Sequence, residues 1–222
     1  MTLITFVQVF TVCLLGAMSP GPSMAVVINN AIFKNRLNGI LTSIGHGIGI
    51  GIYALFAVLG IALIIKTNLY VFNLIKFLSI IFLVYLGINL MITDDKLEFD
   101  GKNISSGFTS FVQGLSISLL NPKIFIWFVA IYSQFMSVDN DMIFNTILIL
   151  TASIVDATWY MILTILVTTN IALDFVKDKS VILQKFVGSV FIIIAVLLLI
   201  ELGAGEGIRT LDFNLGKVAL YP

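Results

Sequence analysis

The chain has 222 residues and no formal net charge, with 59% hydrophobic and 11% charged residues and a mean hydropathy of +1.10. A soluble domain of this size carries roughly 25% charged residues because its surface faces water, so this surface faces lipid, and the neutral balance points to no nucleic-acid partner. Cys13 is the single cysteine, which excludes an intrachain disulfide and a paired-thiol redox centre.

The first charge-free run extends from Thr2 to Phe33. It has no Lys or Arg ahead of its apolar stretch and continues past the length of a signal-peptide core, so it reads as a membrane span. Its centre is Ser19-Pro20-Gly21-Pro22-Ser23. A second run covers Leu37 to Ile65, and a third Thr67 to Thr93, interrupted only by Lys76. The fourth, about Gly107 to Met136, has Asn121-Pro122-Lys123 at its centre. The fifth, about Met142 to Leu173, contains Asp156, and the sixth, Val181 to Ile200, has Lys185 near its start. Each reaches the ~20 residues that a helix needs to cross the hydrocarbon. These lengths suit helices rather than barrel strands.

The first and fourth runs are longer than one straight span, and proline in the middle of each breaks the helix. A break leaves unpaired carbonyls on one side and free N–H groups on the other. Each broken segment opens a group of three spans, and the charged stretch TDDKLEFDGKN (Thr93 to Asn103) separates the groups. Paired interruptions at matching positions are the pattern of an internally repeated transporter. The expected fold is therefore an all-α integral membrane protein of about six transmembrane helices, built as two inverted three-helix repeats. The repeats occupy about 1–93 and 107–202, with a hinge at 94–106, so that 1–202 forms the transporter domain. The Gly-rich segment 203–222 reads as a tail outside the membrane and is assigned no function.

Lys34, Arg36, Lys96, Lys102, Lys177, Lys179 and Lys185 fall on one side of such a bundle, against Lys66, Lys76, Arg209 and Lys217 on the other. The first side is then cytoplasmic and both termini face outward.

Ser19-Pro20-Gly21-Pro22-Ser23, the Gly-rich SIGHGIGIG from Ser43 to Gly51, the third-span segment IKFLSIIFLVYLGINL from Ile75 to Leu90, and Gln113-Gly114 followed by Asn121-Pro122-Lys123 together resemble the LysE/RhtB family of amino-acid exporters, over the chain up to about Leu202. The resemblance implies efflux of amino acids or close derivatives across the bacterial cytoplasmic (inner) membrane, driven by the proton gradient without ATP. Relatives in the wider superfamily are thought to move metal ions, so a metal-cation or other small-solute exporter is the alternative. Ser23 stands where the family's motif often has Asn, which bears on the substrate and not on membership.

An amino acid in a low-dielectric cavity needs N–H groups at a helix N-terminus for its carboxylate and a carboxylate or exposed carbonyls for its ammonium. The half-helices after Pro22 and after Pro122 offer the first, and the carbonyls before each break the second. Prolines of this kind can also be packed kinks, but their pairing across the halves favours a site made of Pro20, Gly21, Pro22, Ser23, Asn121, Pro122 and Lys123. Asp156 is the acidic residue deep inside a span, where a charge costs about 2.5–3.5 kcal/mol and needs a cavity or a partner. It can bind the substrate ammonium, carry the coupling proton, or form an ion pair, for which Lys123 is the expected partner. His46, the single histidine, either relays protons or hydrogen-bonds a neighbouring backbone. Ser43, Ser153, Tyr160 and Gln113 are the candidates to line the cavity. Ser43, Gly47 and Gly51, with Gly45 and Gly49, form small-residue stripes for close helix packing.

An intramembrane enzyme is the rival from another class. One His and one intramembrane Asp make no three-ligand metal site, and neither HExxH nor GxSxG occurs. A passive channel would show rings of like residues rather than internal duality, and a soft-metal exporter would show several clustered Cys, Met or His. The reading is a non-enzymatic secondary transporter for a small neutral amino acid, with no cofactor and no metal. Its partners are that substrate and the lipid bilayer, with a homodimer left open.

Overall fold

The computed structural model describes residues 1–93, 106–137, 140–169 and 179–200, which are helical apart from short connections. The hinge residues 94–105, Glu201 and the tail 203–222 lie outside the described residues. In chain order the helices are α1 (Leu3–Met18), α2 (Pro22–Phe33), α3 (Arg36–Thr67), α4 (Leu69–Ile92), α5 (Gly107–Leu119), α6 (Pro122–Phe135), α7 (Met142–Val167) and α8 (Lys179–Ile200). Helices α3, α4, α7 and α8 are each long and apolar enough to cross a membrane. The pairs α1–α2 and α5–α6 reach that length only together, bent by 66° and 59° at their breaks, which makes six spans if each bent pair is one. Both breaks fall at the proline motifs.

Local sequence sets the helix starts. Thr2, Asn35, Asn68, Ser106, Asn121 and Asp141 each accept a first-turn amide on their side chain, the usual way of satisfying amides that have no intrahelical partner. Gly21, which caps α2, has no side chain to do this. Asn68 is the entire connection between α3 and α4: its N–H bonds back to Ile64 while its Oδ1 accepts from Val71.

Helix α3 is the centre of the bundle, packing most extensively against α5 and α7. Its two stripes of small residues divide the work. Gly45 and Gly49 lie against α5, where a Cβ on either would collide with Phe111 O or with Ser118, and Gly114 of α5 returns the contact against the Thr42 carbonyl. Gly47 and Gly51 face α7, where added Cβ atoms would stand 2.6 Å from Ala157 Cβ and 3.1 Å from Ser153 Oγ. These contacts also fix direction. Asn38 meets Ser110 and Thr42 meets Gly114, so α3 and α5 run parallel. Gly39 meets Thr164 and Gly51 meets Ser153, so α3 and α7 run antiparallel. Gly87 against Ile192 and Met91 against Gly188 make α4 and α8 antiparallel as well.

Close backbone approach lets buried helices gain packing that apolar side chains alone cannot supply in lipid. Gly114→Ala places a methyl 2.8 Å from the Thr42 carbonyl carbon and 3.0 Å from His46 N, and overpacking of this kind costs about 1–3 kcal/mol. The expected result is a clear drop in thermal midpoint in detergent, read by fluorescence-detected size exclusion. Gly60→Ala, whose Cβ meets nothing within 4 Å, leaves the midpoint unchanged, and equal effects from both would contradict the packing account.

Candidate functional site

The break between α1 and α2 opens onto a cavity of ≈ 120 Å³, room for several waters or one small solute. One wall is polar. It contains Ser19 to Ser23 from the break, His46 from α3, Asn121 and Lys123 from the second break, and Asp156 and Tyr160 from α7. The rest of the lining is apolar, with Cys13, Ile50, Leu86, Trp127, Phe128 and Phe191 among its members. Of the residues expected at the site, Pro20, Gly21, Pro22, Ser23, Asn121, Lys123, Asp156, His46 and Tyr160 thus meet in one place. Pro122 starts α6 beside them.

The core of the polar wall is a buried hydrogen-bonded pair different from the one expected from the sequence. Asp156 was expected to pair with Lys123. Its close partner among the described residues is His46, with Nδ1 2.6 Å from Asp156 Oδ2 and both side chains almost wholly buried. The cause is helix packing. Gly47 and Ala157 touch where α3 crosses α7, so their chain neighbours His46 and Asp156 face each other at the same level. Tyr160 stands edge-on to the imidazole, ring centroids 5.0 Å apart. His46 Nε2 is buried with no hydrogen-bond partner. With Nδ1–H donated to the carboxylate, Nε2 carries a lone pair.

The two half-helix N-termini are not equivalent. At α6 the Asn121 side chain accepts from Lys123 N–H at 3.1 Å, so that helix caps itself. At α2 no side chain performs this task, and the position of a Cβ on Gly21 is open space. The first-turn amides of α2 carry the positive end of the helix dipole and can receive a carboxylate from the cavity.

Three candidate lining residues stand elsewhere. Ser43 bonds the Gly39 carbonyl of its own helix at 2.8 Å, and Ser153 bonds Gly47 O at 2.7 Å across the α3–α7 contact. Both satisfy a hydroxyl on a nearby carbonyl, so neither has to face the cavity. Gln113 belongs to a separate polar cluster at the other end of α2. There its Oε1 accepts from Asn30 Nδ2 at 3.0 Å and Lys34 Nζ at 3.2 Å, while Asn30 also donates to Thr42 at 2.7 Å. Lys34 reaches Ser110 at 3.3 Å, and Ser110 donates to Asn38 at 2.9 Å. Partial burial holds the Lys34 ammonium below the ordinary lysine range. This cluster ties α2, α3 and α5 together below the cavity. Trp127 and the apolar wall carried no signal in the sequence, because one aromatic among many at helical spacing looks like any other packing residue.

Residues 14–202 match the family described as LysE type translocator, and the chain belongs to that family. It is 27% identical over 188 residues to the uncharacterized membrane protein YrhP of Bacillus subtilis (strain 168), covering 78% of this chain and 88% of that protein. It is 30% identical over 121 residues to the leucine efflux proteins of Salmonella typhimurium (strain LT2) and Salmonella typhi, covering 54% of this chain and 57% of theirs. The alignment thus spans a little over half the length of the leucine efflux relatives. No solved structure matches.

Removing one partner of a buried hydrogen-bonded pair strands the other, at a typical cost of about 1–3 kcal/mol. His46→Ala and Asp156→Ala are each expected to lower the thermal midpoint, and the double variant to lose less than the sum, with a coupling of about 1 kcal/mol or more. Strictly additive losses would show that the two side chains do not interact in the folded protein.

Proposed function

We propose that this LysE-type translocator is a secondary transporter, not an enzyme, that exports amino acids from the cytoplasm against an inward flow of protons. The observation that carries the reading is the cavity itself, where the uncapped N-terminus of α2 and the buried His46–Asp156 pair stand on one wall. A zwitterion fits those two groups: its carboxylate takes the α2 amides and its ammonium takes Asp156. A carboxylate left bare at this depth is costly, so the site holds either a proton or an ammonium. That competition for one acid is the simplest basis for exchange of substrate against protons. The leucine efflux relatives support the amino-acid class, and the multi-pass helices suit a bacterial cytoplasmic membrane.

The architecture supports two inverted repeats. Each bent pair is followed by two long helices, and the corresponding members α3 and α7, and α4 and α8, run antiparallel, as inversion requires. The basic residues at the Lys34 and Arg36 turn favour a cytoplasmic position for that end, with the N-terminus outside. A metal cation is the weaker substrate class, because it calls for three or more convergent His, Cys, Asp or Glu side chains, and no such group occurs among the described residues.

The test is retention of labelled amino acids in cells overexpressing the chain, with and without a protonophore. Wild type should deplete particular pools, and the protonophore should stop it. Asp156→Asn should cut efflux by at least about tenfold, the scale of one lost charged hydrogen bond of about 1.5–3 kcal/mol. Gly21→Asn, which gives α2 the self-cap that α6 already has, should act in the same direction. If no amino-acid pool responds, the proposal fails and metal cations are assayed next.

A further inference from the structure

We infer that Trp127, seated in the space left by the missing side chain of Gly16, sets the upper size of the substrate side chain. The inference rests on the amino-acid export reading above and assigns the part of the cavity that reading leaves unused. With the zwitterion on the polar residues, the substrate side chain is left the apolar part of the lining, to which Trp127, one turn beyond Lys123 on α6, belongs. An apolar lining takes apolar side chains and leaves polar ones unsolvated.

Trp127 is the largest member of this lining and is held from two directions. Phe128 meets it edge-to-face at 4.9 Å, Tyr132 meets Phe128 in turn at 5.2 Å, and the Tyr132 hydroxyl donates to Leu148 O on α7 at 2.7 Å. On the other side is α1. A Cβ on Gly16 would lie 2.8, 3.1 and 3.2 Å from Cζ2, Cη2 and Cε2 of the indole. Positions 16 and 127 therefore share one volume. A methyl group at 16 drives the indole away from α1, and with the aromatic ladder behind it the open direction is the cavity. Shortening the side chain at 127 enlarges the cavity instead. The indole N–H makes no hydrogen bond, so the ring acts through its bulk.

The experiment uses the full chain reconstituted in proteoliposomes, with efflux of labelled alanine, leucine and phenylalanine measured from one internal mixture. Pocket volume changes of a few methylenes discriminate by about 10- to 200-fold. Trp127→Leu should raise the phenylalanine-to-leucine ratio by about tenfold or more, Trp127→Phe by less, and Gly16→Ala should lower the leucine-to-alanine ratio. Variants that slow all three substrates equally would show that the indole is only a packing residue and would overturn the inference. The wild-type protein supplies an answer that needs no variant. Competition by unlabelled alanine, valine, leucine, phenylalanine and tryptophan should collapse at the large aromatics, and a flat series overturns the size limit. Wild-type liposomes that move none of these amino acids would refute the export reading itself, a result separate from moving them without size discrimination.

Discussion

A peptide group at membrane depth has no water to bond with, and this demand governs how the chain can break its helices. It breaks two, and it treats them differently. After α5 the chain satisfies itself: the Leu120 and Asn121 amides return to Ser116 and Ser118 carbonyls, the Tyr53 hydroxyl donates to Leu119 O, and Asn121 caps α6. After α1 it does not, because Gly21 brings no side chain to the first turn of α2. One break is thus closed by its own residues while the other is left to the cavity. The polar chemistry of the site follows from that difference more than from any single charged residue.

The remaining polar groups obey the same demand through α3. Its glycines bring the backbones of α5 and α7 close enough for side chains to reach carbonyls on a neighbouring helix, as Ser153 reaches Gly47. The same closeness sets His46 against Asp156. Two groups that would each be expensive alone become tolerable as a pair, while Nε2 of the imidazole keeps spare capacity.

Much of this was legible in the sequence because it depends on local pattern. Charge-free runs gave the spans, prolines the two bends, and the alternating small residues of α3 its two packing faces. The acid Asp156 was visible because a carboxylate in an apolar run is rare. Its partner was not visible. The pair joins residues 110 positions apart, and only the α3–α7 register, set by Gly47 and Ala157, shows which side chains meet. Lys123 was the expected partner because a cation at the positive start of a half-helix needs a counter-charge, and that local argument says nothing about which side chains α3 and α7 bring together. Gln113, Ser43 and Ser153 show a related ambiguity. A polar side chain in a span can face water or bond a carbonyl, and composition does not distinguish the two.

Asn68 has a mechanical consequence. A single residue joins a 32-residue helix to a 24-residue one and is bonded into both. Such a joint has no slack, so neither helix can slide along the other or tilt alone without tearing those bonds. Helices α3 and α4 must travel as one stiff lever, with α5 and α7 fastened to its long arm by bare glycine faces. Whatever moves relative to that lever is then found among the short pieces at the proline bends other than α5.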